Sequence, residues 1–295
     1  MTVSARKFYS LSDNAAELAL ESAFFAQLKM RNGTFKLTRA ARFRDVEIAI
    51  RPAITERASS LRQVLDVGVS TGLTTVELAQ FLRKCAAPAR VTATDLFIHA
   101  HIVEVGQTVA VFCDPEGWPL QYEFFGMAIR PWIRRLDYVT LAFIPRLLAR
   151  AYLQPRLCRR IRAGLSRRVQ MITRSLPQDG EITFIEDDIM IPSQHLRGKF
   201  DLVRAANILN RNYFSDDQLK TAIGNIHSYL RGPGALVLLT RTNRSQENAG
   251  TLFELKEDSS LAVVRRVGGG SEVEKLLLDF RQAEPVFPSA TEVKE

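Results

Sequence analysis

The 295-residue chain predicts an α/β fold, a doubly wound, Rossmann-like sheet. Three observations carry that reading. Short apolar runs at 64–67, 90–95, 181–188, 199–207 and 235–240 recur along much of the chain, and stretches with apolar residues at helical spacing lie among them. The first run leads through a tight Gly68/Gly72 bend into a helical stretch with Val76, Ala79 and Leu82 on one side. Apolar content of 46% and charged content of 24% are ordinary globular values, enough core for one large domain or a domain with an insertion.

Taken in order, residues 11–31 read as a helix. Ser12 and Asp13 stand at its start, Leu11, Ala15, Leu18, Phe25 and Leu28 lie on one side, and Asn32-Gly33 closes it. Phe43, Val46 and Ile50 mark a second helix over 40–50, ending at Arg51-Pro52. The strand and bend at 64–72 follow. A second strand, 90–95, ends in Asp95, 23 residues beyond Gly72. Two more strands run at 181–188, ending in Glu186-Asp187-Asp188, and at 199–207, ending in Asn207. Phe214-Ser215-Asp216-Asp217 caps a helix carrying Leu219, Ile223, Ile226 and Leu230. After a Gly232-Pro233-Gly234 turn comes a buried strand at 235–240, then two strands at 251–255 and 261–266 that should pair antiparallel. The segments are thus an N-terminal helical cap (1–59), a core (60–99 and 176–284), an insertion (100–175) and a tail (285–295).

The insertion interrupts the α/β alternation. Residues 102–112 are rich in strand formers, 114–117 make a turn, and 118–125 read as the returning strand of a β-hairpin. Beyond it the charge is concentrated. Between Arg130 and Arg174 lie twelve arginines, no lysine and one acid, Asp137, a net +11 within a chain of +8. Two helices separated by Pro155 are expected here, the second with a stripe of Leu157, Ile161, Leu165, Val169 and Ile172. An amphipathic, arginine-rich unit suits an anionic membrane surface or an acidic partner. The lack of interleaved aromatics in its second half disfavours single-stranded nucleic acid.

Asp66-x-Gly68-x-Ser70-x-Gly72 resembles the acidic, glycine-rich first motif of class I S-adenosylmethionine (SAM)-dependent methyltransferases. The acid after strand two, the acids after strand three, Phe200-Asp201-Leu202-Val203 in strand four, the turn before strand five and the terminal strand pair follow in the same order. Short pieces, Gly68-x-Ser70-Thr71-Gly72 and Phe200 to Leu209, also resemble chemotaxis receptor glutamate methyltransferases, from which the long insertion departs. The resemblance implies that Asp66, Gly68, Ser70 and Gly72 surround the methionine end of SAM, Asp95 holds its ribose, and Asp187 or Asp188 faces the adenine amine. Asn207 then stands where strand four meets the reactive side of the cofactor.

The implied activity is methyl transfer to a small-molecule or lipid-like acceptor, with an amphiphilic or anionic acceptor favoured by the insertion. Alternatives are an NAD-dependent oxidoreductase and a non-catalytic module that binds an acidic partner or membrane. The first wants Gly-x-Gly-x-x-Gly, which Gly68-x-x-x-Gly72 does not supply. No general base is assigned among His99, His101, His195 and His227, and no metal set is expected. Cys85, Cys113 and Cys158 lack metal-ligand spacing and suggest a reducing, cytoplasmic setting, with residues 1–29 lacking a signal-type apolar core.

Overall fold

The computed structural model describes residues 3–11, 18–36, 38–176 and 180–280. The proposed start of the first helix at Ser12 and Asp13, and the tail, lie outside the described residues. The main sheet follows the expected order of elements. β1 (Gln63–Val67), β2 (Arg90–Asp95), β8 (Ile182–Glu186), β9 (Leu202–Ala206) and β10 (Leu236–Thr242) are parallel, and β11 (Asn248–Leu255) and β12 (Leu261–Val267) complete an antiparallel meander. Across the sheet they run β12-β11-β10-β9-β1-β2-β8. The chain winds outward from β1 to β2 and β8, then returns to β9 on the other side of β1. The crevice between the carboxyl ends of β1 and β9 is therefore the topological switch point, where doubly wound sheets bind ligands.

Helices cover both faces. On one side α7 (Asp216–Tyr229) buries Leu219, Ala222, Ile223 and Ile226 against Val203, Val237 and Leu239. Its Ser215 cap is the one read from the sequence: the Ser215 hydroxyl accepts from the Gln218 amide at 3.3 Å. On the other side α3 (Arg44–Glu56) and α4 (Leu73–Lys84) bury Val46, Ile50, Ile54, Leu78 and Leu82 against Val64 and Val91. α3 does not stop at Pro52 but passes through it. The carbonyl deprived of a donor belongs to Ile48, an exposed residue.

Glu47 of α3 sits against Arg204 and Glu77, and burial pushes its carboxyl from its ordinary 4.5 up to about 7. The folded state therefore holds a proton that the unfolded chain has released. The stability this contributes is complete below about pH 4.5 and is lost as pH rises through about 7. Thermal midpoints across that window should fall with pH, and Glu47→Gln should flatten the fall; equal slopes for both proteins would remove Glu47 as its source.

The insertion forms a sheet of its own, ordered β6-β5-β4-β3-β7. The expected single strand over 102–112 is a hairpin, β3 (His99–Glu104) and β4 (Val109–Cys113), because the chain turns at 105–108 around Gly106. β5 (Pro119–Phe124) and β6 (Met127–Ile129) follow. The short α5 (Arg135–Val139) leads into α6 (Phe143–Arg162), one helix that passes through Pro155 where two were expected. It ends at Gly164, which takes a left-handed φ of 72°. Val169, read as helical, lies in β7 (Arg167–Gln170), paired antiparallel with β3. Two layers sandwich this sheet. α1 (Ala5–Ser10) and α2 (Leu18–Phe25) pack Phe8, Phe24 and Phe25 on Ile102, Phe112 and Leu120. On the opposite face α6 packs Ala149, Leu153, Leu157 and Ile161 on Val103, Val111 and Tyr122. Each buried aromatic or aliphatic side chain contributes about 1.5–3 kcal/mol.

Candidate functional site

The bend at 68–72 joins β1 to α4, as expected, and the strand order sets it at the switch point. Gly68 and Gly72 take φ of 73° and 77°, and Ser70 between them is left-handed at 57°. The bend folds back on the end of β2: the Ser70 amide donates to Asp95 Oδ2 at 2.7 Å, and the Gly68 amide donates to the Thr94 carbonyl at 2.7 Å. The Ser70 hydroxyl is buried with no hydrogen-bond partner among the described residues. Such an orphan polar atom at a strand end marks a position that a ligand can satisfy.

The space beside the two glycines is taken by the chain itself rather than left bare. A Cβ at Gly68 would stand 2.7 Å from Ile208 Cδ1, and one at Gly72 would stand 2.6 Å from the Phe184 ring. Their small size serves internal packing of loop against strand ends. Thr71 is covered too, its carbonyl accepting from the Thr173 amide at 2.6 Å where the chain returns from β7.

Asp66, expected to border the methionine end of the cofactor, is bound by residues of the chain itself. It faces its register partner Arg204 across β1 and β9. Arg204 Nε donates to Asp66 Oδ1 at 2.8 Å, and its terminal nitrogen donates to Oδ2 at 2.6 Å and to the Thr74 carbonyl at 3.0 Å. The Thr75 hydroxyl donates to Oδ2 at 2.7 Å, and both charged side chains are buried. This pair locks β1, β9 and the first turn of α4 into one unit beneath the bend.

Asp95 is engaged from a direction that the sequence did not reveal. Lys36, 2% exposed, projects its ammonium to Asp95 Oδ1 at 3.2 Å, to the Ser70 carbonyl at 2.9 Å and to the Phe97 carbonyl. The Phe97 amide also donates to Asp95 Oδ1 at 3.0 Å. Lys36 thus closes the polar edge between bend and second strand. No periodicity or motif surrounds it, so no local signal marks it.

Asp187 and Asp188 follow β8 on the same edge. The Asp187 amide donates to the Asp95 carbonyl at 3.2 Å, and Asp188 Oδ1 accepts from the Met190 amide at 2.9 Å. Glu186, beside them, accepts from the amides of Ile98 and His99 at 3.0 and 2.7 Å and holds the exit of the chain into the insertion. Asn207, left-handed at 62°, points along the sheet: its carbonyl oxygen accepts from the Thr242 amide at 2.7 Å and ties β9 to β10. Asp95, Ser70, Asp187 and Asp188 therefore share the β1–β2–β8 edge, while Asn207 stands across the crevice.

Each histidine has a polar neighbour within the chain. His99 lies 3.1 Å from Glu186, His101 bonds Ser166 at 2.9 Å, His195 bonds Ser193 at 3.0 Å, and His227 bonds the Ser259 carbonyl at 2.9 Å. No cluster of three metal-ligating side chains occurs among the described residues. Two clefts, of about 360 Å³ beside Glu47 and about 780 Å³ beside Arg6 and Arg160, lie away from the bend.

SAM, the cofactor that the motif order implies, meets two features that fit it: the unpartnered Ser70 hydroxyl and the Asp95 carboxylate beside it. Three features stand against it: the ammonium of Lys36 on that carboxylate, the side chains of Ile208 and Phe184 beside the two glycines, and the engagement of Asp66 by Arg204. Ser70 and Asp95 fit the cofactor in kind once Lys36 releases Asp95 and the side chains beside the glycines give way.

No family model matches the sequence, and no curated protein matches it. Among solved structures, the PH0226 protein from Pyrococcus horikoshii is 12% identical over 81% of this chain and 82% of that one, with a TM-score of 0.36. SAM-bound CalS10, an amino pentose methyltransferase from Micromonospora echinaspora, is 13% identical over 75% and 60%, with a TM-score of 0.32. The CMeT domain of the citrinin polyketide synthase is 18% identical over 61% and 28%, with a TM-score of 0.28. The chain spans only 28–51% of the length of that domain and of four other matched structures. With identities and TM-scores this low, no residue role is transferred from them. By the order and direction of its strands, and by the glycine bend at its switch point, the chain has a doubly wound fold of the class I SAM-dependent methyltransferase type.

Proposed function

We propose that the chain is a SAM-dependent methyltransferase whose cofactor site is the edge formed by Ser70, Asp95 and the acids after β8. The observation that carries this reading is the 2.7 Å bond from the Ser70 amide to Asp95, which brings the glycine bend and the second-strand acid together at the switch point. SAM supplies, when bound, a methyl group already activated on a sulfonium. The work left to the protein is to hold an acceptor in line and to keep water out. In this reading Asp95 accepts from the ribose hydroxyls, the Ser70 hydroxyl gains its missing partner, and Asp187 or Asp188 takes the adenine amine. An acceptor that already bears a free lone pair needs only this alignment, whereas a hydroxyl or an ammonium needs a general base as well.

The test is calorimetric titration of the full chain with SAM, S-adenosylhomocysteine and NAD. Heat from the first two and none from NAD is the expected result. Lys36 favours a second reading, a non-catalytic module that keeps the fold and has sealed its cofactor edge. Absence of binding to both the native chain and Lys36→Met would sink the methyltransferase reading and leave that one.

A further inference from the structure

The arginine-rich insertion carries a surface that the methyltransferase reading does not use. α6 is two-faced. Its inner stripe is packed on the second sheet, while Ile144, Leu148, Ala151, Pro155, Arg159 and Arg162 follow at helical spacing along the opposite face, all exposed. Further exposed apolar side chains stand just before it in the chain, in α5 and its link, where Leu136, Val139 and Leu141 are 72, 81 and 59% exposed. Tyr138 and Tyr152 flank it at 60 and 62%. An apolar run of this extent in water marks an interaction surface.

The charge on the same surface has one sign. Its single acid, Asp137, is turned inward and bound by Arg130 through two bonds of 2.7 Å, with Arg146 at 3.5 Å. Arg130 thereby holds the Asp137 carboxyl well below the usual carboxylate range. Arg135, Arg159, Arg160 and Arg162 form no ion pair among the described residues. Guanidinium groups that stay unpaired beside exposed aliphatic side chains call for a partner that is anionic and apolar at once.

We propose that this face docks on an anionic lipid bilayer, α6 lying in the plane of the headgroups with Leu136, Val139, Leu141 and Leu148 toward the acyl chains and Arg159 and Arg162 on lipid phosphates. Charge complementarity selects this occupant. A second copy would set one arginine-rich segment against another, and a nucleic acid would leave the aliphatic patch in water. A bilayer covers both kinds of group together. No helix among the described residues is long and apolar enough to cross it, so the contact is peripheral. It is independent of whether the chain binds SAM.

The experiment is flotation of the full chain with vesicles of phosphatidylcholine alone and of phosphatidylcholine mixed with phosphatidylglycerol. Binding to the mixed vesicles at low salt, weakened by added salt, is expected. Arg159→Gln with Arg162→Gln should weaken it about thirtyfold. Leu136→Ser, Val139→Ser and Leu148→Ser together should abolish it, and an unchanged thermal midpoint shows that these surface variants still fold. Failure to float with the anionic vesicles overturns the proposal. So does binding that the serine variant retains, or a dimer in light scattering, without vesicles, that the serine variant dissolves.

Discussion

Arg204→Met will destabilise the chain by about 3–5 kcal/mol, the cost of leaving a buried carboxylate without its cation. Asp66 is 1% exposed, and Arg204 supplies two of the three side-chain donors to it. The Thr75 hydroxyl alone cannot compensate a full charge. Replacing both partners by apolar residues, Asp66→Leu with Arg204→Met, should recover most of the loss, because desolvation of the pair offsets much of its attraction. Urea unfolding of the native chain, both single variants and the double variant closes the cycle. A single-variant loss under about 1 kcal/mol would show that water reaches Asp66 and that the pair does not hold β1 to β9. SAM affinity, measured on whichever variants fold, should change little, since the pair lies beneath the bend and not on its rim.

Lys36→Met should act on both stability and binding, in opposite directions. The ammonium links three acceptors contributed by the bend and the segment after β2. Asp95 keeps the amides of Ser70 and Phe97 after the substitution, so the loss is held to about 2 kcal/mol. Binding gains what folding loses. In the native chain a ligand that needs Asp95 must first displace a buried cation, and its apparent affinity falls by the fraction of molecules in which that has happened. Removing the cation should tighten SAM binding about tenfold or more, and SAM should raise the thermal midpoint of the variant further than that of the native chain. Equal affinities would mean that Lys36 and SAM do not compete for Asp95.

Much of the main sheet was legible because its signals are local. An apolar run, a glycine bend and a capped helix each lie within about a dozen residues, and the Ser215 cap and the hairpin turn at 114–117 are where their residue types demand. The errors have equally local causes. Residues 157, 161, 165 and 169 recur at helical spacing, yet Gly164 ends the helix and Val169 is recruited by β3, a partner more than sixty positions earlier. Pro52 and Pro155 look like breaks, but each opens one bond on a helix that packing holds together. At the site, the candidacy of Ser70 and Asp95 was legible from motif order. The fate of Asp66 was not, because Arg204 lies 138 residues away and only strand register brings it opposite. Lys36 is harder still, a lone lysine whose partners come from two later loops.

The packing of the first helices also sets an order of events during synthesis. Phe8, Phe24 and Phe25 belong to a buried cluster whose last contributors are Val169 of β7 and Met171 just beyond it. At cellular elongation speeds the nascent chain carries those aromatic rings without a complete cover for on the order of ten seconds. A product truncated before Met171 never supplies one, so the amino-terminal aromatics are where a stalled or shortened chain would adhere to its neighbours or recruit a chaperone.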